Sequence, residues 1–137
     1  DNNPGGAIEL YEQGLAAAPG HPVLLNNLAV LYHSQGNPKA LEVAERAYRV
    51  APRAPEIQDT YGWILLADGK TPQALGLLQE AAKALPDNAE VQYHYAAALA
   101  KSGDKATALS RLRKALDGEL SAEAKSGAQK LLEELSR

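Results

Sequence analysis

The chain has 137 residues, enough for one domain of ordinary size or for a short array of repeats. Its apolar residues are mostly Ala and Leu, with no Phe and no Met, a composition that favours closely packed helices over a β-sheet. The formal net charge of −3 and the lack of a basic run argue against a nucleic-acid partner.

Cysteine is absent, which excludes a disulfide framework, a thiolate metal site and a cysteine nucleophile. No apolar stretch approaches the roughly 20 residues of a membrane-spanning helix, so we expect no direct membrane insertion by this chain. The chain begins Asp1-Asn2-Asn3-Pro4, with neither an initiator Met nor the features of a signal peptide. We therefore expect a segment of a longer or processed protein.

Eight helices are predicted in chain order, at residues 4–18, 22–35, 38–51, 55–68, 72–85, 89–102, 105–117 and 122–135. Six residues with N-cap side chains stand where these helices begin: Asn3, Asn37, Thr71, Asn88, Asp104 and Ser121. The first three precede a proline, which is favoured at the first helical position. Gly36, Gly69 and Gly103 follow helices, where a left-handed backbone is often needed.

Small residues recur with a period of 33 or 34 residues. Three series share this period: Ala7, Ala40, Ala74 and Ala108; Gly14, Ala47, Ala81 and Ala115; and Ala29, Gly62 and Ala96. Because independent series with one period are unlikely to arise by chance, we interpret the chain as an array of helix-turn-helix units. A single hairpin cannot bury its own apolar face, so each unit must stack on its neighbours.

The period, the small residues and Pro19, Pro52 and Pro86 near the ends of units resemble the tetratricopeptide repeat. This resemblance covers nearly the whole chain and implies an all-α right-handed superhelix, or α-solenoid, with one concave face. We predict the second helix of a truncated repeat at 1–21, three repeats at 22–54, 55–88 and 89–120, and a C-terminal capping helix at 121–137.

Four segments, at 26–33, 40–48, 59–65 and 93–103, together resemble the C-terminal repeats of tetratricopeptide lipoproteins of the bacterial PEP-CTERM and exosortase system. That resemblance implies a non-catalytic scaffold linked to exopolysaccharide production or protein sorting. It places the chain in the periplasm or cell envelope of a Gram-negative bacterium, with the cytoplasm as the alternative. The alternative function is the repeat arm of a larger glycosyltransferase or polysaccharide exporter.

In the tetratricopeptide family the first helix of each repeat lines the concave groove, which binds a protein or peptide partner. Carried over by position, the candidate groove residues are Asn26, Val30, His33, Glu56, Asp59, Trp63, Glu90, Tyr93 and Lys101, with Val23, Leu66 and Ala97 in the same register. Trp63, the only tryptophan, is interpreted either as a binding anchor or as a core residue. The acidic residues of the groove disfavour binding of an acidic peptide tail.

No catalytic residue, metal site or cofactor is predicted, because the three histidines lack metal-ligand spacing and no nucleophile motif is present. The N-terminal helix, with Ala7, Ile8, Tyr11 and Leu15 on its apolar side, lacks the helix that would pair with it. We therefore expect self-association through this helix.

Overall fold

The computed structural model describes residues 4–137, which form eight α-helices. Their bounds are α1 Pro4–Ala17, α2 Pro22–Ser34, α3 Lys39–Val50, α4 Pro55–Ala67, α5 Thr71–Ala84, α6 Ala89–Ser102, α7 Lys105–Leu116 and α8 Ala122–Leu135. The described part of the chain contains no strand, so the predicted all-α class is confirmed. Each helix begins and ends within one or two residues of its predicted bounds.

Side chains cap the later helices as predicted. Asn88, Asp104 and Ser121 each accept a hydrogen bond from a backbone N–H in the first turn of the helix that follows. Thr71 and Asn37 are exceptions: α5 begins at Thr71 itself, so that Lys70 takes the N-cap position, and α3 begins at Lys39, so that Pro38 takes it. The predicted cap at Asn3 lies outside the described residues. Sequence patterns at helix starts therefore locate the ends to within about one residue.

The turn glycines have the predicted left-handed backbone, with φ of 69° at Gly36, 84° at Gly69 and 97° at Gly103. A residue with a Cβ would be strained there. Each glycine lies between the two helices of a hairpin, which is where the chain must reverse within a few residues.

The periodic small residues lie where helices cross. The members of the three series from residue 29 onward are all buried, the alanines with at most 3% of their surface exposed. Ala7 and Gly14, the earliest members, are only half-buried, because α1 packs on α2 alone. Small side chains let the helix axes approach closely, and larger residues such as Leu28, Leu78 and Leu112 fill the space beside them.

Helices pack most extensively within the hairpins α2–α3, α4–α5 and α6–α7, and each hairpin packs on the next. Further contacts join α2 to α4, α4 to α6 and α6 to α8. These four alternate helices therefore form one continuous wall of the molecule, and α8 extends that wall while also packing on α7. The division of the chain into repeats at the residues given above stays a prediction.

The apolar side of α1 is more covered than the sequence suggested. Leu15 is buried, and Ile8 and Tyr11 pack against the core, whereas Leu10 has 69% of its surface exposed. The hydroxyl of Tyr32 on α2 donates a hydrogen bond of 2.5 Å to Glu12 on α1, which stabilises the packing of α1 on α2. Leu10 is therefore the large apolar side chain that α1 leaves exposed.

Candidate partner-binding groove

Side chains from α2, α4 and α6, together with the start of α8, enclose a groove with a volume of about 470 Å³. Such a volume lies within the range of about 300–1,000 Å³ that is typical of small-ligand sites. Six of the candidate residues border it: Val30, His33, Asp59, Trp63, Glu90 and Tyr93. The helical period explains this convergence, because residues three or four apart on one helix share a face.

An aromatic cluster forms the centre of the groove. The indole of Trp63 stacks on the imidazole of His94, with ring centroids 4.0 Å apart and planes inclined by 17°. The Tyr93 ring lies 5.5 Å from Trp63 in a tilted arrangement. Trp63 is half-buried, packing against the core on one side and bordering the groove on the other. Both interpretations of Trp63 from the sequence therefore describe part of its environment.

His94 is held in place by Asp59. Its Nδ1 lies 2.8 Å from Oδ1 of Asp59, and because a carboxylate can only accept, Nδ1 carries the proton of this hydrogen bond. His94 is itself buried, so the Asp59–His94 pair connects α4 to α6, and the indole of Trp63 stacks on this imidazole. The stacking surface that supports Trp63 is thus fixed in orientation before any ligand arrives.

The groove has a negative electrostatic character. Burial raises the pKa of Tyr93, and the neighbouring carboxylates Glu123, Glu134 and Glu90 raise it further. Burial also lowers the pKa of His33, and His94 acts in the same direction, whereas Glu123 raises it. His33 is therefore neutral at pH 7 and does not offset the charge of the carboxylates.

Sequence reasoning missed part of the groove. Thr60 and His94, which stand one repeat period apart, border the groove immediately after the candidates Asp59 and Tyr93. That shared register is the signal that could have identified them. Ser121 and Glu123, at the start of α8, also border the groove, although α8 was predicted only as a cap.

Three candidate residues do not border this groove, namely Asn26, Glu56 and Lys101, and their partner-binding role stays a prediction. Glu56 and Lys101 are exposed on α4 and α6. Oδ1 of Asn26 is enclosed and has no hydrogen-bond partner among the residues that the structure describes. Leu66 was expected to line the groove but is instead buried in the core, because this side of α4 packs against other core residues near the end of the helix.

Within residues 4–137, no group of three or more His, Asp or Glu side chains is arranged to hold a metal ion. None of the helices in this range combines the length and the apolar character needed to cross a bilayer.

Comparison with known proteins agrees with the period and the packing. A family model described as tetratricopeptide repeat matches residues 7–121. The chain belongs to the tetratricopeptide repeat family. Comparison with curated protein sequences gave no match.

Several solved tetratricopeptide repeat structures superimpose on this chain. MamA from Desulfovibrio magneticus RS-1 is 15% identical with a TM-score of 0.72, over 98% of this chain and 85% of MamA. YrrB, described as a tetratricopeptide repeat protein with an unusual peptide-binding site, is 23% identical with a TM-score of 0.68, over 90% of this chain and 64% of YrrB. TTC0263 from Thermus thermophilus is 22% identical with a TM-score of 0.68, over 94% of this chain and 71% of TTC0263. At these identities the likeness shows the fold.

Proposed function

We propose that this chain is a non-catalytic scaffold that binds a peptide segment of a partner protein in the groove formed by α2, α4, α6 and α8. The observation that carries the proposal is the placement of Trp63. It is a large aromatic residue, half-buried on the groove wall and supported by stacking on a buried histidine. Rigid aromatic residues of this kind, surrounded by polar groups, are the usual anchors of protein interfaces.

The groove suits a peptide better than a flat protein surface. It is concave, and its polar groups, among them Thr60, Glu90 and Ser121, lie around an aromatic centre. Those groups can select hydrogen-bonding partners, while Trp63 supplies contact area at low entropic cost. The structural likeness to YrrB, which has a peptide-binding site, is in keeping with this use of the fold.

Trp63→Ala tests the proposal. The complete chain is screened against an array of random 12-residue peptides, and binders are titrated by calorimetry. We expect Trp63→Ala to weaken binding by about 2 kcal/mol or more, the usual loss at an interface anchor. Since this difference corresponds to a factor of roughly 30 in Kd, calorimetry resolves it readily.

Tyr48→Ala is the matched control. Tyr48 is also a half-buried aromatic residue, which contacts the Tyr61 ring in a tilted arrangement with centroids 5.2 Å apart, and it does not border the groove. Both variants should lower the melting temperature, but only Trp63→Ala should weaken peptide binding. Unchanged affinity in a folded Trp63→Ala protein would remove the groove as the binding site.

We further propose that the scaffold serves a bacterial cell-envelope system linked to exopolysaccharide production or PEP-CTERM protein sorting, in the periplasm or envelope. The support is the ordered resemblance of segments 26–33, 40–48, 59–65 and 93–103 to lipoproteins of that system. Affinity capture from a Gram-negative envelope extract, with the Trp63→Ala chain as the negative bait, tests this assignment. Capture of the same proteins by both baits would contradict it.

A further inference from the structure

Three carboxylates border the groove, and they come from three different helices. Asp59 lies on α4, Glu90 lies in the first turn of α6 and Glu123 lies in the first turn of α8. No Lys or Arg side chain is among the described residues that border the groove. The fold thus gathers charges of one sign that are far apart in the sequence.

These carboxylates are not neutralised by basic residues. Within residues 4–137, the ion pairs of Lys and Arg are Arg49–Glu45, Lys70–Asp68 and Arg137–Glu133, none of which involves a groove residue. Asp59 bonds to His94, and Glu90 accepts a hydrogen bond of 3.2 Å from the hydroxyl of Ser121. Neither partner is a permanently charged cation, so the groove is left with negative charge.

The same carboxylates surround an aromatic surface. Trp63 and Tyr93 form the centre of the groove, and the pKa of Tyr93 is raised by burial and further by Glu123, Glu134 and Glu90. The faces of aromatic rings attract cations, and nearby carboxylates attract the same charge separately. A neutral apolar side chain would contact the aromatic rings but gain nothing from the carboxylates, and an anionic side chain would be repelled by them.

We propose that the groove recognises a basic peptide, with a Lys or Arg side chain placed against Trp63 and Tyr93 and its charge facing Asp59, Glu90 and Glu123. This inference rests on the proposed function and specifies the partner of the same site. The stem of a Lys or Arg side chain packs on the rings while its charged end remains near the carboxylates. The volume of about 470 Å³ accommodates such a side chain together with the adjoining backbone.

The test uses the complete chain and the 12-residue peptides that bind it. Each Lys or Arg in a binding peptide is replaced in turn by norleucine or citrulline, which keep the length of the side chain and remove its charge. Trp63, the only tryptophan, reports occupancy of the groove through its fluorescence. We expect one replacement to weaken binding at least tenfold, and affinity to fall between 50 and 500 mM NaCl because salt screens exposed charges.

The double variant Glu90→Gln, Glu123→Gln should weaken binding of the basic peptide at least fivefold and reduce its dependence on salt. Glu80→Gln, an exposed change on α5 outside the groove, is the matched control and should leave both unchanged. Thermal melts show that each variant is folded. If the double variant changes peptide affinity and its salt dependence no more than Glu80→Gln does, the inference is overturned.

The two proposals fail in different ways. Peptides that bind through Trp63 with no preference for Lys or Arg, or that tolerate citrulline and norleucine, would overturn the basic-peptide inference and leave the scaffold function intact. Binding that is insensitive to Trp63→Ala, or no binding by any peptide, would overturn the proposed function and the inference with it.

Discussion

Gly62 lies at a close crossing of α4 and α5. A Cβ at this position would lie 2.8 Å from Cγ of Leu78 and 3.3 Å from Cβ of Leu77, so that α4 and α5 would have to separate. Gly62→Leu should therefore lower the free energy of unfolding by more than about 1–3 kcal/mol, the usual cost of overpacking. Chemical denaturation measures the change.

Gly76→Ala is the control for Gly62. Gly76 lies on α5, and a Cβ there would meet nothing within 4 Å. This change should stabilise the chain by about 0.5–1 kcal/mol, because alanine loses less backbone entropy in a helix than glycine does. If Gly62→Leu unfolds like the wild-type chain, the crossing has been assigned to the wrong residue.

His33 makes the stability of the fold depend on pH. Its pKa in the folded chain is lowered, mainly by burial, from an ordinary value of about 6.5. The unfolded chain therefore binds a proton more readily, and stability should decrease as the pH falls below about 6.5 toward the folded-state pKa. An NMR titration should place the pKa of His33 below 6.5, and lower still in Glu123→Gln, since Glu123 raises it. A pKa at or above 6.5 would contradict the burial of this ring.

At the scale of elements, α8 has two roles. Its buried residues Ala124 and Ala128 cover α6 and α7, with Leu131 and Leu132 packed beside them, and its first turns border the groove. Gly127 allows this arrangement, because a Cβ there would collide with the hydroxyl of Tyr93. This packing suits the predicted role of α8 as a capping helix, which requires one apolar face and one polar face.

Deletion of residues 121–137 should expose the apolar side of α7 and cause aggregation. Ala128→Asp, which places a charge in the buried interface of α8, should have the same effect at unchanged chain length, because an unpaired buried charge is costly. Lys130→Asp on the exposed face of α8 is the control. Light scattering against concentration measures the outcome, and a deletion variant that stays monomeric with an unchanged melting temperature would count against the cap.

The first helix differs from the last in that it leaves a large apolar side chain uncovered. Leu10→Lys should reduce self-association in sedimentation velocity experiments, because it removes the most exposed of the large apolar residues. Val50→Lys, at the exposed end of α3, is the control and should leave self-association unchanged. If the sedimentation coefficient depends on concentration in the same way for the wild-type chain, Leu10→Lys and Val50→Lys, α1 does not form the contact.

At the scale of the whole molecule, the fold was predictable from the sequence, because the same pattern of residues recurs in each helical unit. A position whose role is ambiguous in one unit can be interpreted from the equivalent positions in the other units. The shared period of Ala29, Gly62 and Ala96 was therefore enough to predict that these residues are buried where helices cross. Helix ends were predictable because caps such as Asn88 and glycines such as Gly103 act locally.

The groove was less predictable, because its key contacts join different units. The stacking of Trp63 on His94 and the pairing of His94 with Asp59 depend on the distance between α4 and α6, which no local pattern encodes. The part taken by α8 was missed for the same reason. Leu66 was misplaced because a shared register does not specify how far the end of a helix turns into the core.

Because α8 forms one end of the groove, its packing affects how fast a bound ligand can dissociate. Among the described residues α8 packs only on α6 and α7, whereas α4 packs on four helices, and we therefore expect α8 to detach more readily than α4. A bound segment reaching Glu90 and Tyr93 is enclosed only while α8 stays docked, since Ser121 and Glu123 form that end of the groove. In the proposed complex, detachment of α8 would open that end of the groove, so we expect a ligand that contacts α8 to slow its own release by holding this helix in place.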